Sequence, residues 1–422
     1  MNKVFLLITL FAIGCTQQPK SIHQLESEKN INKPIVNLSK VKLGLDVLFD
    51  EKIELIKNKS IALITNHSGL DNNGIPNYKR LMDQKDVDLK IIFSPEHGLF
   101  GEAAAGEKVN YNGRLEDLPP IVSLYGSIRK PTVDQLSGVD LIIYDIQDVG
   151  ARFYTYISTL GLVMEVASEL EIQVLVLDRP NIINGVAVEG PLLDLSNQSF
   201  VGYYPIPIRY GLTIGELAAM IKGEKWISGS PELLVIKMKN WKRNYWFDEI
   251  NSLWTNPSPN IPNLETAILY PGMCLLEATN VNEGRGTTKP FKRFGAPWIN
   301  NQKLAVELNN LNLPGVVFKP ITYIPIDIKG MANNPKYKNQ VCNGVEMMIT
   351  NRNNYNSVNT GIAIISLISK FHSDKFEINA PSMNRLWGKN NFPNILNSNG
   401  KSTNNEQIRI FQELSKKYYF YD

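Results

Sequence analysis

The chain has 422 residues, of which 43% are hydrophobic, and 44 Lys and Arg against 41 Asp and Glu give a net charge of +3. This content is enough to bury a core in each of two medium domains. The balanced charge, with no block of basic residues, argues against a nucleic-acid partner.

Lys3 followed by the apolar stretch Val4–Ile13 has the make-up of a signal peptide and is too short for a membrane span. Ala12-Ile13-Gly14-Cys15 then resembles a bacterial lipobox, with Ala12 where Leu is more usual. The expectation is a signal peptide over residues 1–14 and a lipid on Cys15 that attaches the protein to a membrane. That puts the chain in the cell envelope, in the periplasm or at the outer membrane. Residues 15–40 are polar and aperiodic and read as a flexible tether. No later stretch is long and apolar enough to cross a bilayer.

Strand-like runs at Ile61–Thr65, Leu89–Phe93, Val139–Tyr144 and Gln173–Leu177 alternate with helix-like segments, which implies a parallel sheet with crossover helices. The clearest helix is Tyr154–Leu170, with Ile157, Leu160, Val163, Met164 and Ala167 on one face. Another begins at Thr213-Ile214-Gly215-Glu216, whose form is that of a capping box. The proline-rich crossing Asn256–Pro262 marks a boundary between a first domain, 41–250, and a smaller α/β domain, 251–422. In the second, a helix is expected over Asn301–Leu311, strands over Val316–Ile321 and Val345–Ile349, and a helix over Gly361–Phe371. Cys274 and Cys342 suit either a disulfide or two buried thiols.

In a doubly wound sheet the carboxyl ends of the strands gather at one edge, and ligands bind there. The strands named above deliver Asn66 and His67, Glu96 and His97, Asp145 and Asp148, and Asp178 and Arg179 to that edge. Protonation of a leaving group asks for a carboxylic acid partly screened from water. Glu96, flanked by Phe93, Pro95, Leu99 and Phe100, fits that role best. Gly101–Lys108 has the glycine spacing of a phosphate loop, but Glu107 stands where the lysine belongs. The chain has no dinucleotide Gly-x-Gly-x-x-Gly after its first strand and no Gly-x-Ser-x-Gly elbow. Its four His residues lack zinc spacing, and a metal held by His67, His97 and Asp145 is a minor alternative. No cofactor is expected.

Several long motifs resemble the exo-β-N-acetylmuramidase family of bacterial cell-wall glycosidases. They include Asn66-His67-Ser68-Gly69, Ser94-Pro95-Glu96-His97-Gly98, Tyr144–Tyr156, and Leu177-Asp178-Arg179-Pro180-Asn181. The match continues through Val188–Pro191, Tyr204–Pro207, Pro257–Pro262, Tyr270–Gly272 and Glu277–Thr288, in family order over roughly residues 41 to 422. The resemblance implies a Rossmann-like first domain, a smaller second domain and an active-site cleft between them. There, N-acetylmuramic acid would be removed from the non-reducing end of peptidoglycan fragments, and Glu96 matches the glutamate favoured as catalytic. Ala104 stands where many relatives carry an acidic residue.

The lactyl carboxylate of that sugar calls for an arginine, and Arg152, Arg179 and Arg285 are the candidates. Asn66, Asn260 and Asn280 suit the acetamido group and hydroxyls, and Tyr154, Tyr156 or Tyr270 the sugar face. His67, His97, Asp145, Gln147, Asp178 and Glu277 complete the expected binding set. A second catalytic carboxylate is expected at Asp148 or Glu283, unless the substrate's acetamido group takes its part. The main competitor is a lipoprotein that binds muropeptides without turnover. A peptidoglycan amidase or esterase is the third reading, weakened by the missing serine elbow and zinc set.

Overall fold

The computed structural model describes residues 40–104, 106–107, 109, 117–397 and 405–422. The expected signal peptide, Cys15 and the rest of the tether before residue 40 lie outside the described residues.

Helix α1 (Gly44–Glu51) precedes β1 (Lys59–Thr65), and α2 (Asn77–Met82) leads to β2 (Val87–Ser94) and β3 (Ile121–Ser123). Strand β4 (Leu141–Asp145) is followed by α3 (Tyr156–Glu169), β5 (Gln173–Leu177), α4 (Ile214–Gly223) and β6 (Leu233–Ile236). These six strands form one parallel sheet in the order β3-β2-β1-β4-β5-β6. That is the Rossmann order, with the direction of winding reversing between β1 and β4.

Both faces of the sheet are covered, which is why its central strands read as unbroken apolar runs. Ala62, Ile64, Ile142, Tyr144, Val174 and Val176 share one core with Ile157, Leu160 and Met164 of α3. Their alternate neighbours Ile61, Leu63, Leu141, Ile143 and Leu175 pack on the other face with Leu45 and Leu48 of α1 and Leu81 at α2. The expected capping box is present: Glu216 N donates to Thr213 Oγ1 at 3.2 Å, and Thr213 N donates to Glu216 Oε2 at 3.0 Å. Two strands of this sheet escaped the sequence reading. β3 has three residues and β6 four, too short for a periodic signal.

The second half contains α5 (Leu264–Met273), β7 (Arg293–Ala296), α6 (Asn301–Asn310), β8 (Val316–Tyr323), β9 (Cys342–Ile349), α7 (Ser357–Phe371) and α8 (Ala380–Trp387). Its sheet is antiparallel, in the order β7-β9-β8. Helices α5 and α7 cross at Gly272 and Gly361, where a Cβ on Gly361 would meet the carbonyl oxygen of Gly272. Only glycine permits that approach. One hydrophobic core runs through both halves, joining Ile142 and Leu217 to Phe294 and Ile362. Residues 40–422 accordingly form one compact unit. Cys274 and Cys342 are free, buried thiols.

Candidate active site

A pocket opens beside the carboxyl end of β2 and is lined from both halves of the chain. Glu96 and His97 enter it from the turn after β2, and Phe153, Tyr154 and Thr155 from the turn before α3. Ser258 and Asn260 come from the proline-rich crossing, Tyr270 from α5, and Glu277, Arg285 and Phe291 from the segment between α5 and β7.

Glu96 is held by both carboxylate oxygens. Thr155 Oγ1 donates to Oε2 at 2.8 Å, and the backbone N–H of Gly106 donates to Oε1 at 3.1 Å. Tyr125 lies close enough for its phenol to feel the acid: burial first, and then the Glu96 charge, push that phenol above its ordinary range. The turn reverses sharply, with φ of 72° at His97 and 76° at Gly98. His97 stabilises this reversal by placing Nδ1 2.8 Å from the carbonyl of Ala103. A carbonyl only accepts, so Nδ1 carries the proton. Burial lowers the tendency of His97 to ionise, and the Glu96 charge only partly opposes this. The ring is a neutral brace for the Glu96 loop.

Across the pocket, Arg285 makes a forked contact with Glu277 Oε1, at 2.7 Å from Nη2 and 3.3 Å from Nε. Glu283 lies behind it at 3.4 Å, and Lys336 Nζ donates to Glu283 Oε2 at 2.9 Å. Lys336 also donates to the carbonyls of Leu276 and Val281, which ties the two acid-bearing segments together. Burial works against the Arg285 cation, but the charges of Glu277 and Glu283 outweigh it and hold the guanidinium above its ordinary range. Phe291 carries the cation, its ring centroid 5.1 Å from the guanidinium carbon.

Asn260 is anchored by its Nδ2, which donates to Met331 O at 2.7 Å. Its Oδ1 is buried without a partner. A buried acceptor left open in a pocket is a place for a ligand N–H or O–H. Tyr154, Tyr270, Phe153 and Phe291 pack edge to face, with centroids 4.9 to 6.1 Å apart, and give the pocket an aromatic wall.

The other expected residues are engaged elsewhere. Asp148 does not line the pocket; its Oδ2 accepts from Gly150 N at 2.6 Å and from the Tyr210 hydroxyl, and burial raises its pKa to about 6. Glu283 is likewise outside the lining, between Arg285 and Lys336. Arg152 pairs with no carboxylate among the described residues: it is fully buried and donates to the carbonyls of Pro191, Ile206 and Leu386 at 2.7 to 2.8 Å. Burial lowers its pKa to about 9. It clamps the turn before α3 to the end of α8.

Arg179 pairs with Asp145 at 2.6 Å and donates to Leu70 O, and Asn77 closes the same carboxylate at 2.8 Å. Asp178 accepts from Thr213, Gly215 and Tyr421, and burial raises it to about 7. Asn66 is spent on Tyr156 and Ser68, and Gln147 on the carbonyls of Asp148 and Pro180. His67 faces Asn256 O at 2.7 Å, with Gly101 packed on its ring. Asn280 bonds Lys375 O and Glu377 N. A metal on His67, His97 and Asp145 is therefore not built, and no group of three His, Cys, Asp or Glu able to hold one occurs among the described residues.

Thr155, Tyr125, Ser258 and Lys336 were missed as site residues. Thr155 and Ser258 lie within motifs that carry the family resemblance, and Tyr125 follows a strand end, but hydroxyl residues are common in turns. Lys336 has no sequence signal at all, being some 50 residues from Glu283 and joined to it only by folding.

Residues 61–265 match the family model described as Exo-beta-N-acetylmuramidase NamZ, N-terminal, and residues 268–421 match its C-terminal counterpart. The peptidoglycan beta-N-acetylmuramidase NamZ of Bacillus subtilis (strain 168) is 40% identical over 389 residues, covering 90% of this chain and 92% of the relative. Two solved DUF1343 family proteins from Bacteroides fragilis NCTC 9343 have TM-scores of 0.82 and 0.71 to this chain at 33% and 32% identity. Each comparison covers 91% of this chain and 99% of the solved one. With the two family models together matching most of the chain and the Bacillus identity sustained along it, this protein belongs to the exo-β-N-acetylmuramidase NamZ family.

Proposed function

We propose that this chain is an exo-acting glycosidase that releases N-acetylmuramic acid from the non-reducing end of peptidoglycan fragments. The observation that carries the reading is the company Glu96 keeps: one pocket holds this carboxylate, the Arg285–Glu277 pair and the open amide oxygen of Asn260. The printed activity of the Bacillus relative supports the same substrate. Arg285 binds the lactyl carboxylate through its planar fork, Asn260 Oδ1 accepts from the acetamido N–H, and the aromatic wall packs on the sugar ring.

Glu96 then gives its proton to the glycosidic oxygen as the bond from C1 breaks, and water supplies the new hydroxyl at C1. Glu277 serves as the second carboxylate in preference to Asp148 and Glu283, because it shares the pocket with Glu96 and they do not. It accepts the water's proton or orients the acetamido group. A lipid on Cys15 holds the enzyme at the membrane of the cell envelope, and loss of membrane association in Cys15→Ser tests that part separately.

Incubation with the disaccharide N-acetylmuramyl-β-1,4-N-acetylglucosamine tests the activity. The expected result is release of both monosaccharides, with turnover lowered about 10²- to 10⁴-fold in a folded Glu96→Gln variant. Tight binding without cleavage by the wild type overturns the reading in favour of a binding lipoprotein. Peptide-bearing fragments altered with their glycosidic bonds intact, seen by mass spectrometry, overturn it in favour of an amidase or esterase.

A further inference from the structure

We infer that the lactyl carboxylate of the substrate arms the acid: its entry beside Arg285 makes the pocket take up one proton, which Glu96 holds for the leaving oxygen. The inference rests on the glycosidase reading. It makes one carboxylate both the group that is recognised and the trigger for proton donation.

The charges of the pocket are matched in pairs. Arg285 Nη2 meets Glu277 at 2.7 Å. Lys336 meets Glu283 at 2.9 Å, and the other oxygen of Glu283 lies 3.4 Å from Arg285 Nε. Two cations therefore face two carboxylates, and neither cation is left unshared. Arg285 Nη1 makes no hydrogen bond among the described residues, so it is the donor open to a ligand.

Glu96 stands differently. Among the described residues no lysine or arginine forms an ion pair with it, and its two partners, Thr155 Oγ1 and Gly106 N, are neutral. His97 is neutral too, with Nδ1 committed to Ala103 O. Glu102 and Glu107 on the same loop, and Arg129 beyond Tyr125, are exposed, where water screens them. Asp148, behind Tyr156, is a further acid and offers no cation. The Glu96 and Arg285 charges both bear on the His97 ring, so events at one are felt at the other.

A carboxylate arriving at Nη1 is an anion with no free cation to match it. An unmatched charge closed off from water is costly. Like charges favour protonation of the carboxylate least firmly held in its ionised form. Glu277 and Glu283 each have a cation, so that carboxylate is Glu96. The Gly106 N–H only donates, which keeps Oε1 an acceptor, whereas the Thr155 hydroxyl can bond Oε2 in either state. The proton, taken from water, sits on Oε2. It passes to the glycosidic oxygen as the bond from C1 breaks, and Glu96 returns to its ionised form. A sugar that lacks the lactyl carboxylate leaves Glu96 ionised and meets no proton donor.

Isothermal titration calorimetry with N-acetylmuramate, in buffers of different ionisation enthalpy, counts the protons. At about pH 7 the wild type is expected to take up roughly one proton per sugar bound, and its affinity should weaken towards about tenfold per pH unit of rise. The methyl ester of N-acetylmuramate, which carries no charge, should bind more weakly, without uptake and with a flat pH profile. Glu96→Gln, whose amide is neutral throughout, should bind N-acetylmuramate without uptake. Glu96→Ala is the second variant should the first misfold, and thermal melts check both. An ester bound as tightly as the acid, or an acid bound by the wild type without uptake, overturns the inference. Uptake that persists in the Glu96 variants places the proton on the sugar or on Glu277 and overturns it equally. In each case cleavage of the disaccharide by the wild type leaves the glycosidase reading intact. A wild type that neither binds N-acetylmuramate nor cleaves the disaccharide overturns both.

Discussion

Thr155 Oγ1 donates a 2.8 Å hydrogen bond to Glu96 Oε2, linking the turn before α3 to the turn after β2 across the mouth of the parallel sheet. Thr155 is thereby a positioning residue for the acid. Thr155→Val is expected to slow turnover about tenfold with little change in KM, because a misdirected acid impairs the chemical step more than binding. Thr155→Ser, which keeps the hydroxyl, should recover most of the rate. A rise in KM alone, or no recovery with serine, would sink the positioning role.

If Glu96 is the proton donor, its loss should matter in proportion to the leaving group's need for a proton. Fluoride departs unprotonated, whereas a sugar alkoxide does not. Glu96→Gln should therefore retain far more of the wild-type rate on N-acetylmuramyl fluoride than on the disaccharide, by a factor of at least about 10². Equal losses on both substrates would assign Glu96 a different part in the reaction.

Arg285 presents a planar fork where a lysine would offer a point charge. Arg285→Lys keeps the charge opposite Glu277 and Glu283 but loses the bidentate geometry. The KM for N-acetylmuramyl substrates should rise about tenfold or more. A KM within twofold of wild type would remove Arg285 from carboxylate recognition.

Asp148 separates a structural acid from a catalytic one. Burial raises its pKa from 3.8 to about 6. Well below pH 3.8 it is protonated in both folded and unfolded chains and has no effect. As pH rises to 6 the unfolded chain ionises first, so the native state loses on the order of 3 kcal/mol, and the penalty persists above pH 6. Asp148→Asn, whose amide oxygen can still accept from Gly150 and Tyr210, should raise the melting temperature at pH 7, with the gain shrinking as pH falls through 6 and vanishing only below about pH 3. Activity should be kept. A loss of turnover of about a hundredfold or more, with stability unchanged, would return Asp148 to the catalytic set.

The crossing of α5 and α7 tolerates no side chain. A Cβ on Gly361 would fall within 3 Å of the carbonyl carbon and Cα of Gly272, both backbone atoms that cannot swing aside. Gly361→Ala should destabilise the fold by roughly 1–3 kcal/mol, measured by chemical denaturation. A neutral substitution would mean that the two helices can separate freely.

The parallel sheet was legible because each central strand is buried on both faces and so reads as an apolar run: Ile61–Thr65 and Gln173–Leu177 were bounded to within two residues. Helix α3 was legible from its apolar stripe and α4 from the Thr213–Glu216 box. The short strands β3 and β6 were not, since three or four residues carry no period. The pairing direction of the second sheet was equally hidden, because strand patterns alone do not say which neighbour a strand meets.

For the site, the amino-acid sequence by itself determined that Glu96 follows a buried strand, in a glycine-rich turn, at the edge where an α/β sheet binds ligands. It also determined the family to which its motifs point. Only the tertiary structure decided which charged groups join Glu96. Asp148, Arg152, Asp178 and Arg179 have the right chemistry and flank the same sheet edge. Each is drawn into the interior, however, where a buried charge or polar group must be satisfied by its nearest partners. Glu277, Arg285 and Asn260 come from more than 160 residues away along the chain, and reach Glu96 because one continuous core packs the two halves together. Sequence distance hides such a meeting, and only the packed chain reveals it.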